Sequence, residues 1–127
     1  MTPAEREAIA QPRALVVDDE IEVRFLLAEH FRAAGFVVAE AYNADEAITL
    51  LGCSTFDVVV TDVQMPGSTD GLGLARTVQT SFPRMLVVVV SGLDLSCQLR
   101  ETGVAFFPKP YSSSSLIDHV KTGLTSR

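Results

Sequence analysis

The sequence predicts a doubly wound α/β domain: a (βα)5 unit whose five strands form one parallel sheet in the order 2-1-3-4-5. Three observations lead there. Five short β-branched runs alternate with five stretches of helical spacing, and no repeat or linker divides them. Four of the five runs are nearly continuous apolar, the pattern of strands covered on both faces, so they are expected to be central strands. The chain has 127 residues, enough for one such domain with little left for a second.

Residues 1–12, MTPAEREAIAQP, read as a short extension, because a helix as brief as AEREAIA is marginal without packing. The first strand is RALVVDD (13–19), and Val23, Leu26, Leu27, Phe31 and Ala34 then mark one face of a helix stopped by Gly35. FVVAEA (36–41) follows as the second strand, and Ala44, Ala47, Ile48 and Leu51 mark a second helix stopped by Gly52. The third strand, FDVVVTD (56–62), runs into the Pro/Gly-rich loop VQMPGSTDGLGL, with Asp70-Gly71 turning into a third helix marked by Leu74, Ala75, Val78 and Phe82. After the fourth strand, MLVVVVSG (85–92), only Leu95 and Leu99 keep helical spacing, which predicts a short helix within 94–102. VAFFPK (104–109) is the fifth strand. Leu116, Ile117, Val120 and Leu124 mark the last helix, with Ser114 or Ser115 of SSSS as its N-cap. The domain is therefore expected to span 13–124, with 125–127 as a tail.

Composition excludes several function classes. The net charge is −6 and only 10 residues are Lys or Arg, too few and too scattered for a basic stripe, so no direct nucleic-acid partner is expected. The longest apolar run, 85–90, is far short of a membrane span, and the first residues lack the pattern of a cleaved leader. A soluble, cytoplasmic protein without membrane insertion is the expectation. Cys53 and Cys97 lie far apart with no metal-ligand spacing, and are expected as buried or half-buried thiols without a disulfide. His30 and His119 fall on helices and read as structural or solvent-facing.

The informative feature is how the apolar runs end. LVV ends in Asp18-Asp19-Glu20, VVV in Thr61-Asp62, VVVV in Ser91-Gly92 and AFFP in Lys109, which is one of two lysines in the chain and stands between Pro108 and Pro110. Parallel strands expose their carboxyl ends on one edge, so these groups converge. Singly, Asp18 or Asp62 reads first as a helix cap or turn residue. Together, three carboxylates in a partly desolvated cleft repel one another and call for a cation. Oxygen-only donors select a hard ion, Mg²⁺ or Mn²⁺. Such an ion, with a lysine and a hydroxyl opposite, suits phosphoryl chemistry, and a central carboxylate can itself be the nucleophile. Asp62, on the middle strand, is the central candidate. Glu20 reads as a first-turn helix acid rather than a ligand.

VVDDE, VVVTDVQMPG, VVVVSG and FFPKPY occur in the order and spacing of a known family. From Arg13 to Leu124 the chain resembles the response-regulator receiver domains of bacterial two-component signalling, the CheY-like group with its flavodoxin-like fold. The resemblance implies that Asp62 accepts a phosphoryl group from a histidine kinase or histidine phosphotransfer protein. It implies that Asp18 and Asp19 bind Mg²⁺, with Asp19 and Asp62 as direct ligands, Asp18 acting through water and the backbone carbonyl of Gln64 as a further ligand. Lys109 would pair with acceptor and phosphoryl oxygens, and the bond to Pro110 would be cis. Ser91 would be the switch hydroxyl and Phe106 the aromatic that follows it inward, altering a partner surface made by the fourth helix, fifth strand and fifth helix.

Three features depart from the commonest family pattern. MPGSTDG carries one extra residue, Phe106 replaces Tyr, and Pro108 precedes the lysine. The expected activity is Mg²⁺-dependent self-phosphorylation and slow self-dephosphorylation, without action as an enzyme on a separate substrate. Because only TSR follows the last helix, the expected output is another, unknown protein, and the expected state is a monomer or weak dimer. Gln64 and Leu93 are expected to influence the lifetime of the phosphorylated state. A binding module that works without phosphorylation is the alternative. A hydrolase is disfavoured because Gln64 stands where an acid partner would be, and a flavin site because DDEIE would repel a phosphate.

Overall fold

The computed structural model describes residues 11–65, 67 and 69–126; the extension at 1–10 lies outside them. In chain order the described elements are β1 (Arg13–Val17), α1 (Ile21–Ala33), β2 (Val37–Ala41), α2 (Ala44–Cys53), β3 (Val58–Asp62), α3 (Gly71–Ser81), β4 (Leu86–Ser91), α4 (Ser96–Leu99), β5 (Ala105–Pro108) and α5 (Ser113–Ser126). The sheet runs β2-β1-β3-β4-β5, with every neighbouring pair parallel. This is the doubly wound (βα)5 order of the CheY-like fold that the sequence predicts.

Strand periodicity sorts the core into two layers. Leu15, Val17, Val59 and Val89 pack with Ala47 and Leu51 of α2 and Leu74 and Val78 of α3. Their sequence neighbours Ala14, Val16, Val60 and Val88 point to the other face, against Leu27 and Phe31 of α1 and Leu116 and Val120 of α5. Phe31 is fully buried and meets Phe36 edge-on at a centroid distance of 4.9 Å. Burying such a ring contributes about 2–3 kcal/mol. With both faces covered, the strand ends remain as the edge on which chemistry can be displayed.

Several expectations are corrected. Four central strands are one too many: the order 2-1-3-4-5 leaves three, and β5, half-buried, lies at the edge which that order gives it. Gly35 does end α1, at φ +97°, but α2 continues through Gly52 to Cys53 and is capped by Ser54. Leu26 and Ile48 are exposed, since the packed stripe of each helix is narrower than its apolar spacing. The 94–102 stretch forms one turn, Ser96–Leu99, and Glu101 has φ +67°. The α5 N-cap is Ser112, whose Oγ accepts from Ser115 N at 3.2 Å, and the helix runs on to Ser126 in place of a tail. Both cysteines are free and exposed, because neither faces a layer of the core. His119 is solvent-facing but lies edge-on to Phe107, centroids 5.6 Å apart.

Candidate functional site

The registers bring the four strand ends to one edge. Val17 pairs with Thr61, Asp62 with Val90 and Ser91 with Pro108, so Asp18, Asp62, Ser91 and Lys109 emerge side by side. Asp18, Thr61, Asp62 and Ser91 are the buried polar residues among those described, and all four are at this edge. Asp19 is exposed beside them, and one carboxylate oxygen from each of Asp18, Asp19 and Asp62 lies within 4.8 Å of the others. Lys109 Nζ stands 3.8 Å from Asp18 Oδ2 and 3.5 Å from Asp62 Oδ2.

Among the described residues, each buried carboxylate is held by a backbone amide on one oxygen. Glu20 N donates to Asp18 Oδ1 at 2.9 Å and Val63 N donates to Asp62 Oδ1 at 2.8 Å. The Oδ2 atoms are thereby turned toward Lys109 and the shared space. Burial is the main cause of a raised pKa at Asp18; the charges of Asp62 and Asp19 add to it, while the Glu20 amide and Lys109 oppose it. Glu20 is the α1 N-cap by backbone conformation, one position before the first turn, and makes no side-chain cap bond.

The lysine is anchored from β4. Ser91 O accepts from Lys109 N at 2.8 Å, while Ser91 Oγ accepts from Leu93 N at 3.0 Å. Amides alternate in direction along a strand, so the nitrogen of Pro108 faces the unpaired outer side of β5, where a missing N–H costs nothing. The Lys109-Pro110 peptide is cis. Phe106 is half-buried and packs with Val89 and Leu95 on the α2/α3 side. Tyr111 is half-buried against the α1/α5 layer; burial raises its hydroxyl pKa, and Asp18 and Asp62 add to that. Gln64 follows β3 and is exposed.

Two residues at this edge escaped the sequence reading. Gly71 N donates to Val63 O at 3.0 Å, and a β-carbon there would lie 1.9 Å from Asp62 O, so α3 starts against the backbone that carries Asp62. Only the loop position of Asp70-Gly71 hinted at this; Asp70 caps α3 through Gly73 N at 2.9 Å. Arg24, whose Nη1 donates to Asp18 O at 2.9 Å, left no signal beyond being a basic residue six positions after Asp18. A surface cleft elsewhere, lined by Arg13, Phe56, Phe82 and Met85, includes none of the predicted site residues.

Residues 14–121 match the family model described as the response regulator receiver domain. The transcriptional regulatory protein PdtaR of Mycobacterium tuberculosis is 32% identical over 123 residues, covering 94% of this chain and 60% of that protein. The C4-dicarboxylate transport transcriptional regulatory protein DctD of Rhizobium meliloti is 28% identical over 116 residues, 88% of this chain but 25% of its own length. The chain thus spans only part of the curated relatives it matches. Among solved structures, the receiver domain of the hybrid histidine kinase CckA is 36% identical with a TM-score of 0.74, covering 88% of this chain and 98% of that one. The response regulator protein TrrA of Thermotoga maritima, solved in complex with Mg²⁺-BeF, is 26% identical with a TM-score of 0.80, over 88% and 98% of the two chains.

Proposed function

The chain belongs to the response regulator receiver domain family, and from that premise we propose that it is a phosphoacceptor switch in which Asp62 takes a phosphoryl group from a phosphohistidine donor. The observation that carries this reading is the buried Asp62 carboxylate, held on Oδ1 by Val63 N and facing Lys109 at 3.5 Å through Oδ2, with two further carboxylates alongside. Its oxygen would form the O–P bond as the N–P bond of the donor breaks.

The donor set fits a hard divalent cation, being carboxylate oxygen throughout. Asp18, Asp19 and Asp62, with the Gln64 carbonyl, would hold it. Mg²⁺ or Mn²⁺, when bound, supplies charge that neutralises both the carboxylates and the phosphoryl oxygens. TrrA, solved with Mg²⁺-BeF, supports a cation in this family's site. Lys109, 3.8 Å from Asp18 and 3.5 Å from Asp62, would stabilise the negative charge that develops on the phosphoryl oxygens. Ser91 Oγ, now engaged by Leu93 N, is the hydroxyl available to turn toward a phosphoryl oxygen. Phe106, on the same sheet face as Ser91, would then pack inward and change the surface of α4, β5 and α5. In this reading the chain is no enzyme toward a separate substrate, and its partners are a histidine kinase or phosphotransfer protein and an output protein. Among the described residues no helix is long and apolar enough to cross a membrane.

The test is incubation with Mg²⁺ and a small acyl-phosphate donor, read by intact mass. A single added phosphoryl group that Asp62→Asn and a chelator both remove is the expected result. A wild-type chain that gains no mass would refute the chemistry and leave a phosphorylation-independent binding module as the function.

A further inference from the structure

We infer that Arg24 is a positioning residue for the acidic turn, holding the Asp18 carbonyl so that the Asp19 carboxylate is aimed into the cluster; its consequence for metal binding rests on the metal reading above. The Arg24 side chain grips the carbonyl that precedes Asp19, and the helix that carries it starts on the carbonyl of Glu20. Arg24 Nη1 donates to Asp18 O at 2.9 Å, and its backbone N donates to Glu20 O at 2.9 Å. A peptide unit is planar, so fixing the Asp18 carbonyl fixes the plane that leads into Asp19 and narrows the directions open to the Asp19 side chain. Asp18 and Asp62 each accept a bond from a backbone amide, whereas Asp19 is exposed and gains most from this constraint.

The guanidinium is itself held. Its side chain is only 14% exposed, and Nε pairs with Glu40 Oε1 at 3.2 Å. Glu40, which lies opposite Val16 in the β1–β2 register, also meets Arg32 Nη2 at 3.4 Å, and Arg32 Nη1 meets Glu29 Oε1 at 2.6 Å. A chain of charge-assisted bonds therefore runs from α1 and the edge strand β2 to the turn that carries the acidic pair. The forked geometry matters: one planar group spans a carboxylate and a carbonyl, which an ammonium cannot do with the same two bonds.

This role predicts an effect of opposite sign to plain electrostatics. Removing a positive charge near a cation site should tighten cation binding, whereas removing the group that orients a ligand should weaken it. Outer partners of metal ligands are worth roughly 10–100-fold in affinity. The experiment measures Mn²⁺ binding by electron paramagnetic resonance, with Mg²⁺ competition, for wild type, Arg24→Gln, Arg24→Lys and Lys109→Gln, each checked for folding by thermal melting. Arg24→Gln should bind roughly tenfold more weakly and Arg24→Lys should fall between it and wild type, while Lys109→Gln binds more tightly. Unchanged or tighter binding in Arg24→Gln overturns the inference; if that variant does not fold, the same outcomes are read from Arg24→Lys.

A second readout needs no metal. Amide exchange in the metal-free protein should accelerate at Glu20 in Arg24→Gln while Val59 and Val88 stay protected, and unchanged exchange at Glu20 refutes the grip on the turn. Wild-type protein that binds no Mn²⁺ overturns the metal reading alone, and the exchange result then decides the role of Arg24.

Discussion

Gly71→Ala tests how tightly α3 is seated on β3. A β-carbon at residue 71 would fall 1.9 Å from the Asp62 carbonyl oxygen, 2.7 Å from its carbon and 2.8 Å from Val63 Cα, where contacts under 3.0 Å are essentially never seen. All three atoms are backbone, so no rotamer relieves the clash, and the helix start must move by about 1 Å. That movement strains the Gly71 N to Val63 O bond and the Asp70 cap on Gly73 N. Overpacking costs about 1–3 kcal/mol and a lost cap about 1, against roughly 1 returned by the better helix propensity of alanine. The expected net loss is roughly 1–3 kcal/mol, or about 3–15 °C in Tm for a domain of this size. The chain has no Trp and two Tyr, so urea unfolding is best followed by far-UV circular dichroism. Gly52→Ala is the internal control: it lies within α2 with nothing within 4 Å of the added carbon, and should stabilise by up to about 1 kcal/mol. Gly71→Ala within about 0.5 kcal/mol of wild type would refute the reasoning, since surface-like tolerance of that size is incompatible with a backbone clash.

Asp18 has a folded-state pKa raised above its ordinary value of 3.8, so its ionisation opposes folding. Its contribution is fully present below the ordinary value and is lost as pH rises through the raised one. Metal-free Asp18→Asn should therefore melt higher than wild type at pH 7, with the advantage shrinking below about pH 4, as thermal melts at the two values will report. Lys109→Gln removes the ammonium at 3.5 and 3.8 Å from two carboxylates, so Mg²⁺ should bind several-fold tighter while acyl-phosphate labelling slows at saturating Mg²⁺. A titration that shows weaker Mg²⁺ binding in that variant would contradict the charge argument.

The features legible in sequence were those written as local pattern. Continuous Val runs announced buried parallel strands, and polar residues closing those runs announced the edge where Asp18, Asp19, Asp62, Ser91 and Lys109 meet. What failed was decided by tertiary neighbours. Four apolar runs read as central strands although the order 2-1-3-4-5 has room for three, because apolarity reports burial pressure and not the number of flanking strands. Leu26 and Ile48 kept helical spacing but point past the sheet. Gly52 looked like a helix stop, whereas a glycine ends a helix only when the backbone there turns to positive φ, as Gly35 does. Arg24 and Gly71 act through carbonyls of residues remote in sequence or across a loop, and side-chain pattern carries no record of which carbonyl needs a partner.

The central claim is tested most directly by trapping the acyl phosphate in place. Protein incubated with Mg²⁺ and a small acyl-phosphate donor, then reduced with borohydride, converts a phosphorylated aspartate to homoserine, which peptide mass spectrometry locates by residue. Homoserine at position 62 alone, absent when Mg²⁺ is chelated, is the predicted result. Homoserine at 18 or 19, or at no aspartate, would contradict the assignment of Asp62 as the phosphoryl acceptor.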